Sequence, residues 1–408
     1  METPVAHYDV IICGGGPAGS SSAFFLTRAG KKVLLIEKET PPRYKACGGG
    51  LSIGFLRTQF PFDFSPIIEG YATQIEYHFN GFEVPVLCRP DVFAFVQRDR
   101  FDQYLLQRCG ADLLVGEAVR EIQQSPDGVK VGTTGGKTLI ADWLIGADGA
   151  NSIVRKKAGF TSHHKVITAL ESEVTPPDEV MRRFSESPAI IFDEIKFGYA
   201  WIFPKSGHLS VGIACFHPKP GYLAEMLLRI MLRYGINLAG VKLHEHPLPV
   251  YTRHSPVVSG RVLLVGDAAG LADPFSGEGI RLAIKSGKIA AEAILENDTV
   301  LYQQRIQKEI GRDRVFSIWV SQFFYRFRFL CLLFGTPNPF NTDQVLDLIS
   351  DRINTADLLI MAIASLPAFF IIEMMGLAIY IFAGEKKQTL FLEWLYPYKG
   401  FTKTRKIG

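Results

Sequence analysis

A glycine-rich turn between a strand and a helix, close to the start of the chain, is the feature that most constrains the fold. Gly14-x-Gly16-x-x-Gly19 follows the apolar run YDVIIC, opens the helical run SSSAFFLTRAG and precedes a second strand, KKVLLIEK. In this context the first glycine allows a tight turn, the second lets the backbone approach a pyrophosphate, and the third lets the helix pack closely on the strand. The helix N-terminus offers unpaired N–H groups to phosphates. These residues predict a βαβ unit that binds a dinucleotide.

An acidic residue at the end of the second strand extends this prediction. Glu37 is placed to accept hydrogen bonds from a ribose, and an acid at this position favours an adenosine with a free 2′-hydroxyl. Ala18, inside the glycine motif, and Lys38, beside the acid, are also assigned to the cofactor site.

Composition excludes several classes of protein. The net charge of +3, from 44 basic and 41 acidic side chains, is too balanced to indicate a nucleic-acid partner. A hydrophobic content of 47% excludes disorder. The six cysteines form no C-x-x-C pair, so neither a zinc nor an iron–sulfur site is expected. A reduced, cytoplasmic setting without a secretory signal is the simplest interpretation.

The order of elements predicts an α/β fold with an inserted α+β domain. Residues 74–87 look like a hairpin around Asn80-Gly81, and residues 189–216 look like an antiparallel meander. A strand followed by a helix then resumes the α/β pattern of the first residues. The strand is RVLLVGDAAG and the helix is GIRLAIKSGKIAAEAIL. The predicted domains are a discontinuous Rossmann-like domain (1–75, 98–165 and 252–300), a substrate-binding sheet domain (76–97 and 166–251) and a helical C-terminal region (301–408).

The C-terminal region is unusually apolar. Residues 316–334 contain eight aromatics, and residues 358–383 contain 22 apolar residues of 26. The second stretch is long enough to span a bilayer, but Glu373 and Pro367 within it argue against a span. A buried or interfacial helical hairpin is favoured over a true span, and peripheral membrane contact is expected.

Two later segments resemble a known class of flavoprotein. Together with the glycine turn, the chain contains two segments that resemble the FAD-dependent oxidoreductases of the p-hydroxybenzoate hydroxylase fold. These segments are LIGADGANSIVR (144–155) and VLLVGDAAGLADPFSGEG (262–279). The resemblance implies FAD, held without a covalent bond, as the cofactor. It assigns Asp267 to the ribityl chain and Arg98 to a flavin contact, with Arg100 as the alternative arginine. Further implied cofactor contacts are Asp148, Gly149, Gly277, Gly279 and Ile280, with Ser152 and Arg155 matching the middle motif. Since no second GxGxxG is present, the electron donor is open between NAD(P)H and ferredoxin.

RYKACGGGL (43–51) and YAWIFPK (199–205) narrow the resemblance to the geranylgeranyl reductase family. Members carry a K-x-C-G-x-G-L loop and a Y-x-W-x-F-P-K strand, so the resemblance implies reduction of isoprenoid double bonds in a lipid or quinone. Gly48 and Gly49 would let the chain approach the flavin beside Cys47. A thiol there can donate or relay a proton, or it can shape the pocket.

The aromatic residues of the second segment share one side of a strand. Tyr199, Trp201 and Phe203 lie on one face because side chains alternate along a strand. They are assigned to the isoprenoid chain, with Tyr199 and Trp201 also counted as catalytic; an ordinary sheet core is the alternative.

Two other functions stay open. A monooxygenase or halogenase of the same fold would use oxygen, although the halogenase pattern W-x-W-x-I-P differs here at Tyr199 and Phe203. A flavin-bearing electron carrier at the membrane is the other, although the cysteine spacing for an iron–sulfur cluster is absent.

Overall fold

The structure, a computed structural model, divides the chain into two compact units. Unit 1 comprises Met1–Cys47, Gln97–Ala169 and Glu245–Ile318, and unit 2 comprises Gly48–Val96, Leu170–His244 and Trp319–Gly408. The residues described are 6–79, 82–88, 93–160, 164–192, 195–216, 218–252, 255–326 and the helical positions 357, 360, 361, 364 and 375.

Both units contain strands and helices. The strands are β1 (His7–Cys13), β2 (Val33–Glu37), β3 (Gly50–Ser52), β4 (Ile68–Tyr71), β5 (Gln74–Phe79), β6 (Phe82–Leu87), β7 (Phe93–Val96), β8 (Asp112–Val115), β9 (Val119–Ser125), β10 (Gly128–Thr133), β11 (Thr138–Gly146), β12 (Lys165–Val174), β13 (Ala189–Ile191), β14 (Gly198–Lys205), β15 (His208–Phe216), β16 (His244–Val250), β17 (Val258–Ser259) and β18 (Val262–Leu264). The helices are α1 (Pro17–Arg28), α2 (Ile53–Gln59), α3 (Arg98–Leu106), α4 (Ile153–Lys157), α5 (Asp178–Glu186), α6 (Tyr222–Arg233), α7 (Ile280–Leu295), α8 (Thr299–Arg305) and α9 (Arg312–Arg326). Short 3-10 turns cover Ser65–Ile67 and Gly266–Ala269, and Ile306–Gly311 is π-helical.

Unit 1 is built on a mainly parallel sheet with the strand order β17-β18-β11-β1-β2-β8, and β10 and β9 extend it from β11. β1 pairs in parallel with β2 and β11, and β11 pairs in parallel with β18. Every residue of β2 is buried, as expected of a strand covered on both faces. Because these strands are parallel, their carboxyl ends meet at one edge of the sheet, which is where ligands bind in such folds.

Unit 2 is built mainly on antiparallel pairing. Within this unit the strands β15, β14, β13, β5 and β6 lie side by side in that order, and β13 pairs with β5 in parallel. β14 and β15 pair from Gly198↔Cys215 to Lys205↔His208, so Ser206 and Gly207 form a two-residue turn, with φ of 80° at the glycine. A smaller sheet has the order β3-β7-β4.

The fold class predicted from the sequence is confirmed. The hairpin of residues 74–87 is the antiparallel pair β5 and β6, although Asn80-Gly81 lies outside the described residues. The meander of residues 189–216 corresponds to β13, β14 and β15. The division falls at Gly48 rather than after residue 75, because β3 and β4 both pair with β7 and thereby join residues 48–75 to unit 2.

The apolar C-terminal region is described only in part. α9 covers the first residues of the aromatic segment, but residues 358–383 lie mostly outside the described residues. Within the part of the chain that the structure describes, no helix combines the length and the apolar character that crossing a membrane requires.

Candidate cofactor site

The glycine turn after β1 has the geometry of a phosphate-binding turn. Gly14 has φ of 106°, and a Cβ atom there would lie 2.3 Å from the carbonyl oxygen of Ala147. A Cβ atom on Gly19 would lie 1.9 Å from the oxygen of Gly14, so only glycine lets α1 approach β1 so closely. The nearest atom to a Cβ on Gly16 is an Arg43 nitrogen at 3.7 Å, so the space above this residue is open. The turn is therefore tightly packed at Gly14 and Gly19 and open at Gly16.

Glu37 fastens this turn from the neighbouring strand. Its side chain is buried and accepts hydrogen bonds from the Gly15 N–H at 2.7 Å and the Glu39 N–H at 3.0 Å. Arg43, which sequence reasoning did not assign to the site, lies 3.7 Å from the same carboxylate. Glu37 is thus part of the turn as well as the predicted ribose acceptor.

Two other predicted cofactor residues differ in their surroundings. Ala18 is buried in α1, and a Cβ atom on Gly266 would lie 3.0 Å from its methyl group, so this alanine packs α1 against the Gly266–Ala269 turn. Lys38 has a side chain 69% exposed, and its ammonium group lies 3.5 Å from Glu39.

The segment after β11 is organised by Asp148. Its carboxylate accepts hydrogen bonds from the Ile153 N–H at 2.6 Å, the Val154 N–H at 3.1 Å and the Ser152 hydroxyl, which fixes the start of α4. Burial raises the pKa of Asp148, although these hydrogen bonds oppose the rise. Gly149 has φ of 78°. Arg155 donates to the carbonyl of Ala268 at 3.4 Å, so this segment is connected to the Gly266–Ala269 turn.

Asp267 lies in that 3-10 turn after β18, at the same edge of the sheet. A Cβ atom on Gly279 would lie 3.5 Å from its carboxylate oxygen, so the start of α7, at Ile280, begins close to Asp267. Gly277, with φ of 68°, donates its N–H to the carbonyl of Asp273 at 2.9 Å. The predicted flavin-facing loop, residues 274–279, is therefore held by a hydrogen bond to the residue that precedes it.

A network of charges connects α3 with the loop after β2. Arg98 donates to Asp102 through two nitrogens, at 2.9 Å and 3.0 Å, and Arg43 lies 3.3 Å from the same carboxylate. Arg98 is also hydrogen-bonded to Cys47, and although burial acts to lower its pKa, Asp102 and Cys47 raise the pKa further above its usual range. Arg100 is exposed on α3. The structure thus brings Arg98, and not Arg100, to Cys47.

A second pair that sequence reasoning missed lies beside this network. Lys45 and His246 approach with Nζ and Nε2 2.7 Å apart, although 201 residues separate them along the chain. No spacing pattern could have revealed this contact, because β16 and the loop after β2 are brought together only by the fold.

The aromatic strand of unit 2 is partly core and partly more open. Trp201 is 7% and Phe203 8% exposed, whereas Tyr199 is half-buried. The Tyr199 and Trp201 rings are 6.2 Å apart, and the Trp201 indole N–H donates to Ser210, whose hydroxyl donates to Glu171. The residues share one face as predicted from the alternation of the strand; their contact with an isoprenoid chain stays a prediction.

Lys205, the last residue of this strand, fastens the glycine loop. Its ammonium group donates to the carbonyls of Gly48 at 2.7 Å and Val96 at 2.8 Å, and the residue is 4% exposed. A Cβ atom on Gly49 would lie 2.1 Å from the Val96 oxygen, so the loop and β7 need glycine there. Sequence reasoning named Lys205 in a motif without assigning this contact.

Replacing Lys205 with methionine is expected to lower the free energy of unfolding. The stem of the side chain is retained, but the Gly48 and Val96 carbonyls each lose a donor, which costs about 1–3 kcal/mol for each buried group. Urea titration monitored by circular dichroism measures the change. Lys196→Met, at an exposed position of the same unit, is the control; equal stability of the two variants would contradict this prediction.

A group of metal-capable side chains lies in unit 2. Glu76, His78 and Glu83 have ligand atoms within 4.8 Å of one another among the described residues. The His78 ring nitrogens lie 2.5 Å from the Tyr234 hydroxyl and 3.1 Å from Glu76, and Arg183 donates to Glu83 at 3.1 Å. These contacts account for the cluster as a hydrogen-bond network.

The residues at the carboxyl edge suit FAD. The open space over Gly16 and the N-terminus of α1 suit a pyrophosphate, Glu37 suits a ribose, and the acidic group of Asp267 lies across the edge at the start of α7. Fold and site together define a protein with a Rossmann-like dinucleotide-binding domain.

Comparison with known proteins identifies the family. The profile of the lycopene cyclase protein family matches residues 9–336. An uncharacterized protein of Methanosarcina barkeri is 32% identical over 336 residues, which cover 78% of this chain and 84% of that protein. The geranylgeranyl diphosphate reductase of Synechocystis is 30% identical over 338 residues, 77% of this chain and 81% of the relative. Digeranylgeranylglycerophospholipid reductase 2 of Methanothermobacter thermautotrophicus is 30% identical over 351 residues, 75% of this chain and 85% of the relative. The chain belongs to the geranylgeranyl reductase family of FAD-dependent oxidoreductases, as its motifs predicted.

A solved structure agrees with the fold. The geranylgeranyl bacteriochlorophyll reductase-like protein of Thermoplasma acidophilum has a TM-score of 0.71 and 24% identity, covering 88% of this chain and 96% of that one. At this level of identity the likeness concerns the fold.

Proposed function

We propose that the protein is an FAD-dependent reductase that saturates isoprenoid double bonds in the geranylgeranyl or polyprenyl chain of a lipid or quinone. The observation that carries the proposal is the family: relatives that cover most of this chain are named as reductases of geranylgeranyl diphosphate and of digeranylgeranylglycerophospholipid. The flavin motifs and the aromatic strand of this chain provide the two kinds of binding group that such a reaction requires.

The cofactor contacts follow from the carboxyl edge of the unit 1 sheet. The α1 N-terminus with Gly14 and Gly16 would hold the pyrophosphate, and Glu37 the adenosine ribose. Asp267 would hold the ribityl chain, with the loop of residues 274–279 beside the ring. Reduced FAD supplies a hydride when it is bound. The protein must then bind the alkene, exclude water and provide a proton.

The substrate contacts follow from the aromatic strand of unit 2. Tyr199, Trp201 and Phe203 offer large apolar faces, and Phe192 packs against Tyr199 with ring centroids 6.1 Å apart. An isoprenoid chain presents mainly hydrocarbon, so burying it against such rings is favourable at about 25 cal/mol per Å² of apolar surface. The half-buried Tyr199 is the member of this group most open to a ligand.

Anaerobic photoreduction tests the proposal. The flavin is reduced without oxygen, geranylgeranyl lipids are added, and the products are analysed by mass spectrometry. A gain of two hydrogens for each double bond supports the reductase. Conversion only in the presence of oxygen would assign a monooxygenase, and conversion without a change in mass would assign a cyclase or isomerase. Flavin reoxidation by a quinone, with the lipid unchanged, would assign an electron carrier.

Replacing Cys47 with serine is expected to slow double-bond reduction while FAD remains bound. A serine hydroxyl gives up its proton less readily than a thiol, so a proton donated or relayed at this position would be transferred more slowly. Single-turnover reoxidation of the photoreduced flavin by substrate measures the rate. Cys88→Ser, in unit 2, is the matched control. Unchanged turnover in Cys47→Ser would remove the thiol from the mechanism.

The finer assignments are also proposals. We propose peripheral membrane contact through the C-terminal region, and NAD(P)H or ferredoxin as the electron donor of a cytoplasmic enzyme. Trp319 is 68% and Phe323 61% exposed, one turn apart on α9, which supports a lipid-facing surface. Vesicle flotation of Trp319→Gln/Phe323→Gln against the unmodified protein tests the contact, and equal flotation would contradict it.

A further inference from the structure

Lys45 and His246 form a pair whose chemistry the cofactor contacts leave unexplained. Lys45 lies in the loop after β2, two residues before Cys47, and His246 lies on β16. Their Nζ and Nε2 atoms are 2.7 Å apart, and both residues are half-buried. Since an ammonium group can only donate, the imidazole nitrogen that faces it must accept, and the ring is therefore neutral.

The surroundings of the pair make it hold a single positive charge. Lys45 interacts electrostatically with four groups. Asp267 lies in the Gly266–Ala269 turn, Arg98 and Asp102 lie on α3, and Cys47 lies in the same loop as Lys45. His246 is acted on by Lys45 and Arg98, both cationic. A second proton on the pair would place two cations 2.7 Å apart beside a third.

The pKa shifts agree with this geometry. Burial, with Lys45 and Arg98, lowers the pKa of His246 to about 3. Burial also lowers the pKa of Lys45, although Asp267 opposes the change. At neutral pH the pair therefore holds its one proton on Lys45, and Lys45 is a stronger acid than an exposed lysine.

We propose that the Lys45–His246 pair is the acid that protonates the double bond, an inference that rests on the proposed function. The cofactor's hydride forms one C–H bond, the π bond breaks, and a proton from the Lys45 ammonium forms the C–H bond at the other carbon. The pair becomes neutral and then regains one proton from water. Cys47, two residues away and hydrogen-bonded to Arg98, can relay this proton, so slower reduction by Cys47→Ser is compatible with Lys45 as its source.

The first arm of the test measures catalysis. Lys45→Met in the FAD-loaded protein is expected to slow single-turnover alkene reduction by about 100-fold or more, the usual contribution of a general acid. His246→Gln, which keeps a hydrogen-bonding group but cannot take up a proton, is expected to alter the pH profile and reduce the solvent deuterium isotope effect. Lys219→Met, at an exposed position, is the control. Undiminished reduction by Lys45→Met would overturn the proposal, and so would loss of FAD from it, which would assign Lys45 to cofactor binding.

The second arm does not depend on turnover. Nitrogen-15 NMR of histidine-labelled protein is expected to show the His246 ring neutral down to about pH 4, and Lys45→Met is expected to raise the pKa of His246 because a neighbouring cation is removed. A His246 ring that titrates near pH 6.5 in the unmodified protein would overturn the charge sharing. If the unmodified protein reduces no isoprenoid, the proposed function and this role fall together, while the NMR result still decides whether the pair shares one charge.

Discussion

Replacing Gly16 with alanine is expected to leave the fold intact and to weaken FAD binding by about 10-fold to 100-fold. The backbone of Gly16 already has φ of −75°, and the nearest atom to an added methyl group is 3.7 Å away, so the empty protein accommodates alanine. The methyl group would, however, occupy the space that a pyrophosphate requires above the turn. Loss of one hydrogen bond to a charged group corresponds to about 1.5–3 kcal/mol. Quenching of flavin fluorescence during titration with FAD measures the affinity.

Two further glycine variants separate binding from folding. Gly70→Ala, at a site with no atom within 4 Å of the added methyl group, should change neither property. Gly19→Ala should destabilise the protein even without FAD, because its methyl group would lie 1.9 Å from the Gly14 oxygen. If Gly16→Ala binds FAD as tightly as Gly70→Ala does, the pyrophosphate does not lie at this turn.

Replacing Arg314 with methionine is expected to lower the free energy of unfolding by about 3–5 kcal/mol, the usual effect of leaving one member of a buried ion pair alone. Arg314 pairs with Asp273, and their side chains are 4% and 5% exposed. Asp273 also accepts the Phe275 and Ser276 N–H groups at 2.9 Å and 2.7 Å, so the predicted flavin-facing loop, residues 274–279, depends on this carboxylate. FAD affinity should therefore fall as well. Urea titration and FAD titration measure the two effects.

Acidic pH is expected to reduce the difference in free energy of unfolding between Arg314→Met and the unmodified protein. Burial acts to raise the pKa of Asp273, but Arg314 and the backbone N–H donors outweigh it and hold the pKa below its usual value. A carboxylate of this kind stabilises the fold above the unfolded-state pKa of about 3.9 and loses that contribution as the pH falls through the folded-state value. In Arg314→Met the effect of burial on Asp273 is no longer opposed by the arginine, so its pKa rises. Protonation at acidic pH then removes the unpaired buried charge and restores part of the lost free energy of unfolding.

Two further variants serve as controls for the Arg314–Asp273 pair. Arg312→Met, at an exposed position of α9, should leave both stability and FAD affinity unchanged. The double variant Arg314→Met/Asp273→Asn should be less destabilised than the sum of its single variants, because neither partner is left charged and alone. Additive effects would show that the pair is not coupled.

Features carried by local patterns were predictable from the sequence. The βαβ unit was predicted because its buried strand, glycine turn and helix follow one another within about 30 residues, as the motif requires. The common face of Tyr199, Trp201 and Phe203 follows from strand alternation alone. α7 was predicted from its apolar periodicity, and its start at Ile280 agrees with the predicted flavin loop.

Features made by long-range contacts were not predictable. The place of residues 48–75 depends on β3 and β4 pairing with β7, and no local pattern determines that pairing. The contacts of Arg43 with Asp102, and of Lys45 with His246, join positions that are far apart in the chain. β8 was also missed, since a strand of only four residues has a weak sequence signal.

The position of Glu37 bears on efforts to redesign nucleotide preference. Exchanging the acid at the end of the second strand for a basic or neutral residue is an obvious route towards a 2′-phosphorylated nucleotide. Here the same carboxylate accepts the N–H of Gly15, inside the turn predicted to bind phosphate. An engineer who alters this side chain therefore also releases the turn, so a compensating acceptor for Gly15 would have to be introduced together with the new specificity.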